Sequence, residues 1–191
     1  MNLHPVILAA CELQRALEEF GRPFCFIGGL ALQRWGQPRY TSDADATVLT
    51  GWADDEAAVD FLLDRFRGRR ADARDFALKA RVVLLQSSDD VNLDIALGAL
   101  DFERRVVERA SDWKYRDVFL RTCSAEDLVV HKAFASRDQD WVDVEHVFMT
   151  QGRKLNVRQI LDELRPLAEL KEDATILSRL EALMRKRDVI D

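Results

Sequence analysis

Residues 42–49 constrain this chain more than any other stretch, because they alternate strictly. Asp43, Asp45 and Thr47 fall on one face and Ala44, Ala46 and Val48 on the other, the period-two signature of a half-buried strand. Aspartate is poorly suited to strands, since its carboxylate competes for backbone hydrogen bonds and gains nothing from burial there. Aspartates at i and i+2 have α-carbons roughly 6.5–7 Å apart, and their charges repel unless something cationic lies between them. At that spacing both carboxylates reach one or two hard, oxygen-seeking cations such as Mg²⁺ or Mn²⁺. The plainer alternative is a solvent-facing strand with ordinary acidic residues.

Two further elements accompany the pair. Gly28-Gly29 follows the short apolar run 24–27 and precedes a helical pattern over 30–35. A turn without side chains there lets backbone N–H groups approach phosphate oxygens at a helix N-terminus. It equally suits a tight strand-to-helix turn that only needs positive φ. Asp94 lies in 91–96, where Leu93 and Ile95 share one face while Asn92 and Asp94 share the other. A third carboxylate on a neighbouring strand completes the ligand set of a two-metal site. A surface aspartate paired to an arginine is the alternative.

Helical periodicity over 5–20 ends at Gly21-Arg22-Pro23, and further helices are expected over 53–66 and 100–110. Residues 81–86 and 91–96 are expected to form a hairpin across Ser87-Ser88-Asp89-Asp90, and 118–122 is a further expected strand. From Ser124 the pattern turns helical, with Ser124 and Asp127 in a capping arrangement. Helices are expected over 141–149, 157–165 and 174–187, with Pro166 interrupting. The expected fold is α+β: a small mixed sheet flanked by helices over residues 1–122, and a helical C-terminal lobe over 123–191 in the same compact unit.

With a hydrophobic fraction of 48% and a charged fraction of 32%, the 191 residues describe an ordinary globular chain. A net charge of −6 argues against nonspecific coating of nucleic acid. Arg65, Arg67, Arg69, Arg70 and Arg74 are the local exception. They suit either a face toward a polyanion or a solvated helix end and loop. Cys11, Cys25 and Cys123 show no CxxC spacing and sit among apolar neighbours, as buried thiols in a reducing compartment do. The three histidines show no zinc-ligand spacing, and His131 reads as a helix-surface residue. The apolar run 6–11 stops at Glu12, too short for a leader core or a membrane span. A cytoplasmic protein without membrane association is expected.

The order of these blocks resembles the nucleotidyltransferase superfamily with the DNA polymerase β-like core, in particular its abortive-infection AbiEii-type branch, which contains toxins of toxin–antitoxin pairs. The resemblance rests on Gly28-Gly29-Leu30-Ala31-Leu32, on Arg39-Tyr40-Thr41-Ser42-Asp43-Ala44-Asp45, on Leu93-Asp94-Ile95 and on residues 126–143. It spans about residues 5–150. It implies transfer of a nucleoside monophosphate from an NTP to an acceptor hydroxyl, with Asp43, Asp45 and Asp94 as metal ligands. Asp94 is also the candidate to take the acceptor proton.

The same resemblance implies nucleotide contacts from Gly28, Gly29, Arg39, Thr41 and Lys132, with Thr41 bonded to the glycine turn. Lys132 has a surface-lysine alternative. Arg137, Asp140 and Asp143, three residues apart, read as scaffolding for the lysine helix. RNA is the implied acceptor and a cognate antitoxin the implied partner. Two alternatives stay open: a non-catalytic binding or regulatory module on the same core, and an antibiotic-type enzyme acting on a small hydroxylated compound.

Overall fold

The structure, a computed structural model, describes residues 3–190. The chain divides into two units. One holds the residues up to Leu30 together with Tyr40–Cys123; the other holds Ala31–Arg39 and the residues from Ser124 onward.

The first unit is built on a seven-stranded mixed sheet. In chain order its strands are β1 (Phe24–Phe26), β2 (Asp43–Leu49), β3 (Arg67–Gly68), β4 (Val82–Gln86), β5 (Asn92–Gly98), β6 (Ser111–Tyr115) and β7 (Val118–Thr122). Their spatial order is β3-β4-β5-β2-β1-β7-β6. Helices α1 (Pro5–Phe20), α3 (Asp55–Arg65), α4 (Ala73–Ala80) and α5 (Asp101–Arg109) accompany it.

Local chemistry sets the boundaries. Pro5 opens α1, where its missing N–H costs nothing. Gly21, at φ 72, closes it in the left-handed conformation. The expected hairpin forms as β4 and β5. The Ser87 hydroxyl organises its turn by accepting the Val91 N–H at 3.2 Å. Leu13, Leu17, Phe26, Ala44, Ala46, Leu93 and Ile95 are fully buried in the core of this unit. Strands β3 and β6 and helix α4 are short elements that the alternation did not indicate.

The second unit is helical, comprising the later part of α2 (Gly28–Trp35), α6 (Ala125–Ala135), α7 (Asp138–Gln151), α8 (Val157–Leu170) and α9 (Thr175–Lys186). Ser124 caps α6 as its sequence suggests, accepting the Asp127 N–H at 3.1 Å. Leu128, Val144, Phe148, Ile160, Leu164 and Leu180 fill its core. Pro166 does not interrupt α8, contrary to expectation; the helix runs through it to Leu170. A prolyl nitrogen gives up one helical hydrogen bond and crowds the preceding turn, at about 3 kcal/mol. Burial of Leu164, Leu167 and Ala168 around it offsets that cost. Among the described residues no helix is long and apolar enough to cross a membrane.

Candidate active site

Strands β2 and β5 are parallel neighbours, with Asp43 opposite Asn92 and Asp45 opposite Asp94. Paired positions on adjacent strands point to the same face of a sheet, their α-carbons roughly 4.8 Å apart. Asp94 therefore shares a face with Asp43 and Asp45. On the opposite face Ala44, Ala46, Leu93 and Ile95 are wholly buried, which fixes the register.

The glycine turn abuts this row. The Ile27 N–H donates to the Asp45 carbonyl at 2.9 Å, extending the pairing of β1 with β2 to the edge of the turn. Gly28 follows at φ 58, and a Cβ there would overlap the Asp45 carboxylate, lying 2.8 Å from its Cγ. Glycine is thus required twice, for its backbone conformation and for the carboxylate above it. A Cβ at Gly29 would lie 2.9 Å from the Thr41 Cβ. The Thr41 hydroxyl, expected to bond the glycine turn, instead donates to Asp43 Oδ1 at 2.9 Å, steadying one lobe of that carboxylate.

Asp94 has a different partner, the Arg69 guanidinium, which forms an ion pair with its Oδ1. Burial pushes the Asp94 carboxyl above the usual carboxylate range; Arg69 opposes that rise and the charge of Asp43 adds to it. The rest of the arginine cluster is also engaged. Arg65 pairs with Glu19, Arg67 with Asp90, Arg70 with Asp72, and Arg74 with Asp60 and Glu56. Most of these side chains remain well exposed, as on a solvated surface, although each is paired to a carboxylate.

The helical unit carries its own charge cluster. The Lys132 ammonium lies 3.0 Å from Asp140 Oδ1 and 2.8 Å from Asp143 Oδ2. Arg39 grips Asp143 with both prongs of its fork, at 2.8 and 2.9 Å. Arg137 holds Asp140 through Nε at 2.6 Å. The Asp140 and Asp143 side chains are 1% and 0% exposed. Burial pushes Asp143 upward, but the hydrogen bonds from Arg39 and Lys132 outweigh it and leave the carboxyl at about 2. Asp140 is lowered by the same opposition, with Arg137 and Lys132 as donors. His131 is not the surface residue expected. Its Nε2 is shut off from solvent, and burial holds the imidazole down at about 4.

The sequence model of the family described as "Nucleotidyl transferase AbiEii toxin, Type IV TA system" matches residues 12–188. The chain belongs to the AbiEii nucleotidyltransferase family. No curated protein matches the sequence significantly. Among solved structures, an antigenic nucleotidyltransferase-like protein from Paracoccidioides brasiliensis is similar, with TM-score 0.51 and 13% identity over 92% of this chain and 91% of that one. Lincosamide antibiotic adenylyltransferase LnuA, bound to lincomycin, gives TM-score 0.48 and 14% identity over 77% and 98% of the two chains. The antibiotic-resistance factor ANT(2'')-Ia gives TM-score 0.47 and 17% identity over 95% and 91%. At such identities the likeness concerns the fold alone.

Among the described residues of this nucleotidyltransferase, no three histidine, cysteine or acidic side chains are gathered as a preformed metal cage. The donor chemistry nonetheless fits a hard divalent ion. The three carboxylates share one face, and a cation, the Arg69 guanidinium, already stands against Asp94. Sequence reasoning offered an arginine-paired Asp94 as its alternative but grouped Arg69 with its neighbours and so did not name the partner. The usable signal was the strand-like spacing of Arg67 and Arg69 around Gly68, which sends both side chains to one face of the sheet.

Proposed function

We propose that this chain is a metal-dependent nucleotidyltransferase that moves a nucleoside monophosphate from an NTP to an acceptor hydroxyl, with RNA as the acceptor. The register that sets Asp45 opposite Asp94, on the face shared with Asp43, carries this reading. Asp43, Asp45 and Asp94 would hold divalent ions, Mg²⁺ or Mn²⁺, which when bound supply positive charge to the attacking and leaving oxygens.

The chain's own groups account for the remainder. The acceptor oxygen attacks the α-phosphorus, the bond to the β-phosphate bridging oxygen breaks, and pyrophosphate leaves. Asp94, half-buried and raised above the usual carboxylate range, takes the hydroxyl proton. The backbone at Gly28-Gly29 binds phosphate oxygens where no side chain intrudes. In the helical unit we assign Arg39 and Lys132 to nucleotide binding, with Asp140, Asp143 and Arg137 as the scaffold that keeps those cations in place.

A cognate antitoxin partner rests on the toxin–antitoxin description of the family, and the RNA acceptor on the resemblance read from the sequence. The arginine cluster adds nothing to the RNA reading, since its members are engaged by carboxylates. A cytoplasmic setting follows from the NTP substrate and accords with three cysteines present as thiols.

The test is incubation of the full chain with each α-labelled NTP, Mg²⁺ or Mn²⁺, and total RNA. Label appearing on RNA supports the proposal. Label appearing only on small hydroxylated compounds would replace the acceptor and keep the chemistry. Label on no RNA, protein or small-molecule acceptor with either metal would leave a binding or regulatory module.

A further inference from the structure

We propose that Arg69 is a phosphate-binding residue of the sheet unit, held on Asp94 until a divalent ion takes that carboxylate and frees the guanidinium for the nucleotide. The inference rests on the metal-site reading above and adds a residue to it.

Placement comes first. Gly68 pairs with Leu85, and the Arg69 N–H donates to the Leu84 carbonyl at 3.0 Å, so the β3–β4 register runs on through Arg69. Leu84 is opposite Asp94, and Asp94 opposite Asp45. Arg69, Leu84, Asp94 and Asp45 therefore form one row across four adjacent chain segments, on the face that carries the carboxylates. Arg67, two positions back, is 66% exposed and reaches Asp90 in the β4–β5 turn instead.

The use made of the guanidinium is the second observation. Arg70 and Arg74 each bring both Nε and Nη2 to one carboxylate, at 2.8 and 3.1 Å on Asp72 and at 2.7 and 3.2 Å on Asp60. Arg69 offers Asp94 only Nη2, and its Nε is buried without a hydrogen-bond partner. A desolvated N–H beside an engaged Nη2 is half of a fork that matches two oxygens of a phosphate. Asp94 fills only one prong.

Charge supplies the third. An ion of charge +2 seated on Asp94 repels the guanidinium beside it, in a partly buried place where water screens little. The triphosphate that arrives with such an ion offers Arg69 the anionic oxygens it then lacks. Arg69 thus competes with the ion alone and favours the ion–nucleotide complex. Those two effects have opposite sign, which makes the proposal testable by binding without turnover.

The experiment measures Mn²⁺ binding by electron paramagnetic resonance on the full chain, alone and with each α,β-methylene nucleoside triphosphate. The proteins are wild type, Arg69→Gln, Arg69→Lys, Arg67→Gln and Asp45→Asn, each checked by circular dichroism. Arg69→Gln is expected to bind Mn²⁺ alone about threefold to tenfold more tightly, and the Mn²⁺–analogue complex about tenfold more weakly. Arg69→Lys, which keeps the charge without the fork, should bind Mn²⁺ alone as wild type does and still lose analogue affinity. Arg67→Gln should change neither.

Unchanged affinities in both Arg69 variants, or weaker binding of Mn²⁺ alone to Arg69→Gln, would overturn the proposal. If Mn²⁺ binding requires Asp45 yet ignores Arg69, only the role of Arg69 falls. If wild type binds no Mn²⁺, or Asp45→Asn binds it equally well, the metal-site reading falls with it.

Discussion

The two units confront the same electrostatic problem and resolve it in opposite ways. Burial raises the carboxyl of Asp94 in the sheet unit and those of Asp140 and Asp143 in the helical unit. Around Asp140 and Asp143 the ammonium and guanidinium groups outweigh that penalty, and both carboxyls end below their ordinary range. At Asp94 burial exceeds what the guanidinium of Arg69 offsets, and the neighbouring charge of Asp43 adds to it. A buried acid whose penalty is overcompensated is part of the scaffold. One that remains undercompensated, on a face with two more carboxylates, is where another cation belongs.

That contrast predicts opposite consequences for removing one acid from each group, and the largest effect is on chemistry. Asp45→Asn should lower nucleotidyl transfer by about 10³-fold or more, since charge stabilisation at the reacting phosphate is lost. Folding stability should hold or rise slightly, because one of three like charges has gone. A urea titration beside the transfer assay separates the two; a large stability loss would place Asp45 with the scaffold instead.

Next comes Asp143→Ala. It removes one of the two carboxylates on the Lys132 ammonium and the one that the Arg39 fork grips, leaving a buried void, and a broken buried ion pair costs about 3–5 kcal/mol. Chemical denaturation should show a loss of that order with or without nucleotide. A loss under about 1 kcal/mol would mean that this cluster is held less firmly than the sheet carboxylates and would dissolve the contrast.

A smaller, pH-dependent effect comes from His131, adjacent to Lys132. Burial, with a further push from the Lys132 charge and against the pull of Asp127, holds its folded value at about 4, below the ordinary 6.5. Between those values the unfolded chain binds the proton and the folded chain does not. The stability it contributes is complete above pH 6.5 and erodes as the pH falls toward 4, by up to roughly 3 kcal/mol. Stability curves of wild type and His131→Gln should converge over that window; parallel curves would show that the imidazole titrates normally.

The alternation of residues 42–49 and 91–96 exposed the strands, their buried faces and the three carboxylates, because a period of two is legible without knowing the partner strand. The capping serine and the glycine turn were legible for similar reasons, each being a local backbone requirement. What stayed hidden depends on distant partners. Nothing near His131 in the sequence announces that its ring is desolvated, since burial there is decided by how the helices of that unit pack. The pairing of Arg69 with Asp94 spans 25 residues and needs the order β3-β4-β5 before it exists. Pro166 misled because the breaking tendency of proline is local, whereas the burial that overrides it is not.

The smallest effect is the control that sharpens the comparison inside the sheet unit. Arg67 and Arg69 are two residues apart on one face of the sheet, each paired to an aspartate, and exposure separates them. The Arg67 and Asp90 side chains are 66% and 76% exposed, whereas those of Arg69 and Asp94 are 23% and 34% exposed. Water screens the first pair and competes for its hydrogen bonds, so Arg67→Gln should change stability by no more than about 1 kcal/mol and leave transfer activity unchanged. Raising the salt concentration should reduce even that small difference. If Arg67→Gln instead matched Arg69→Gln in metal and analogue binding, burial and the pairing with Asp94 would not distinguish the two arginines. Net positive charge near the sheet would then explain both.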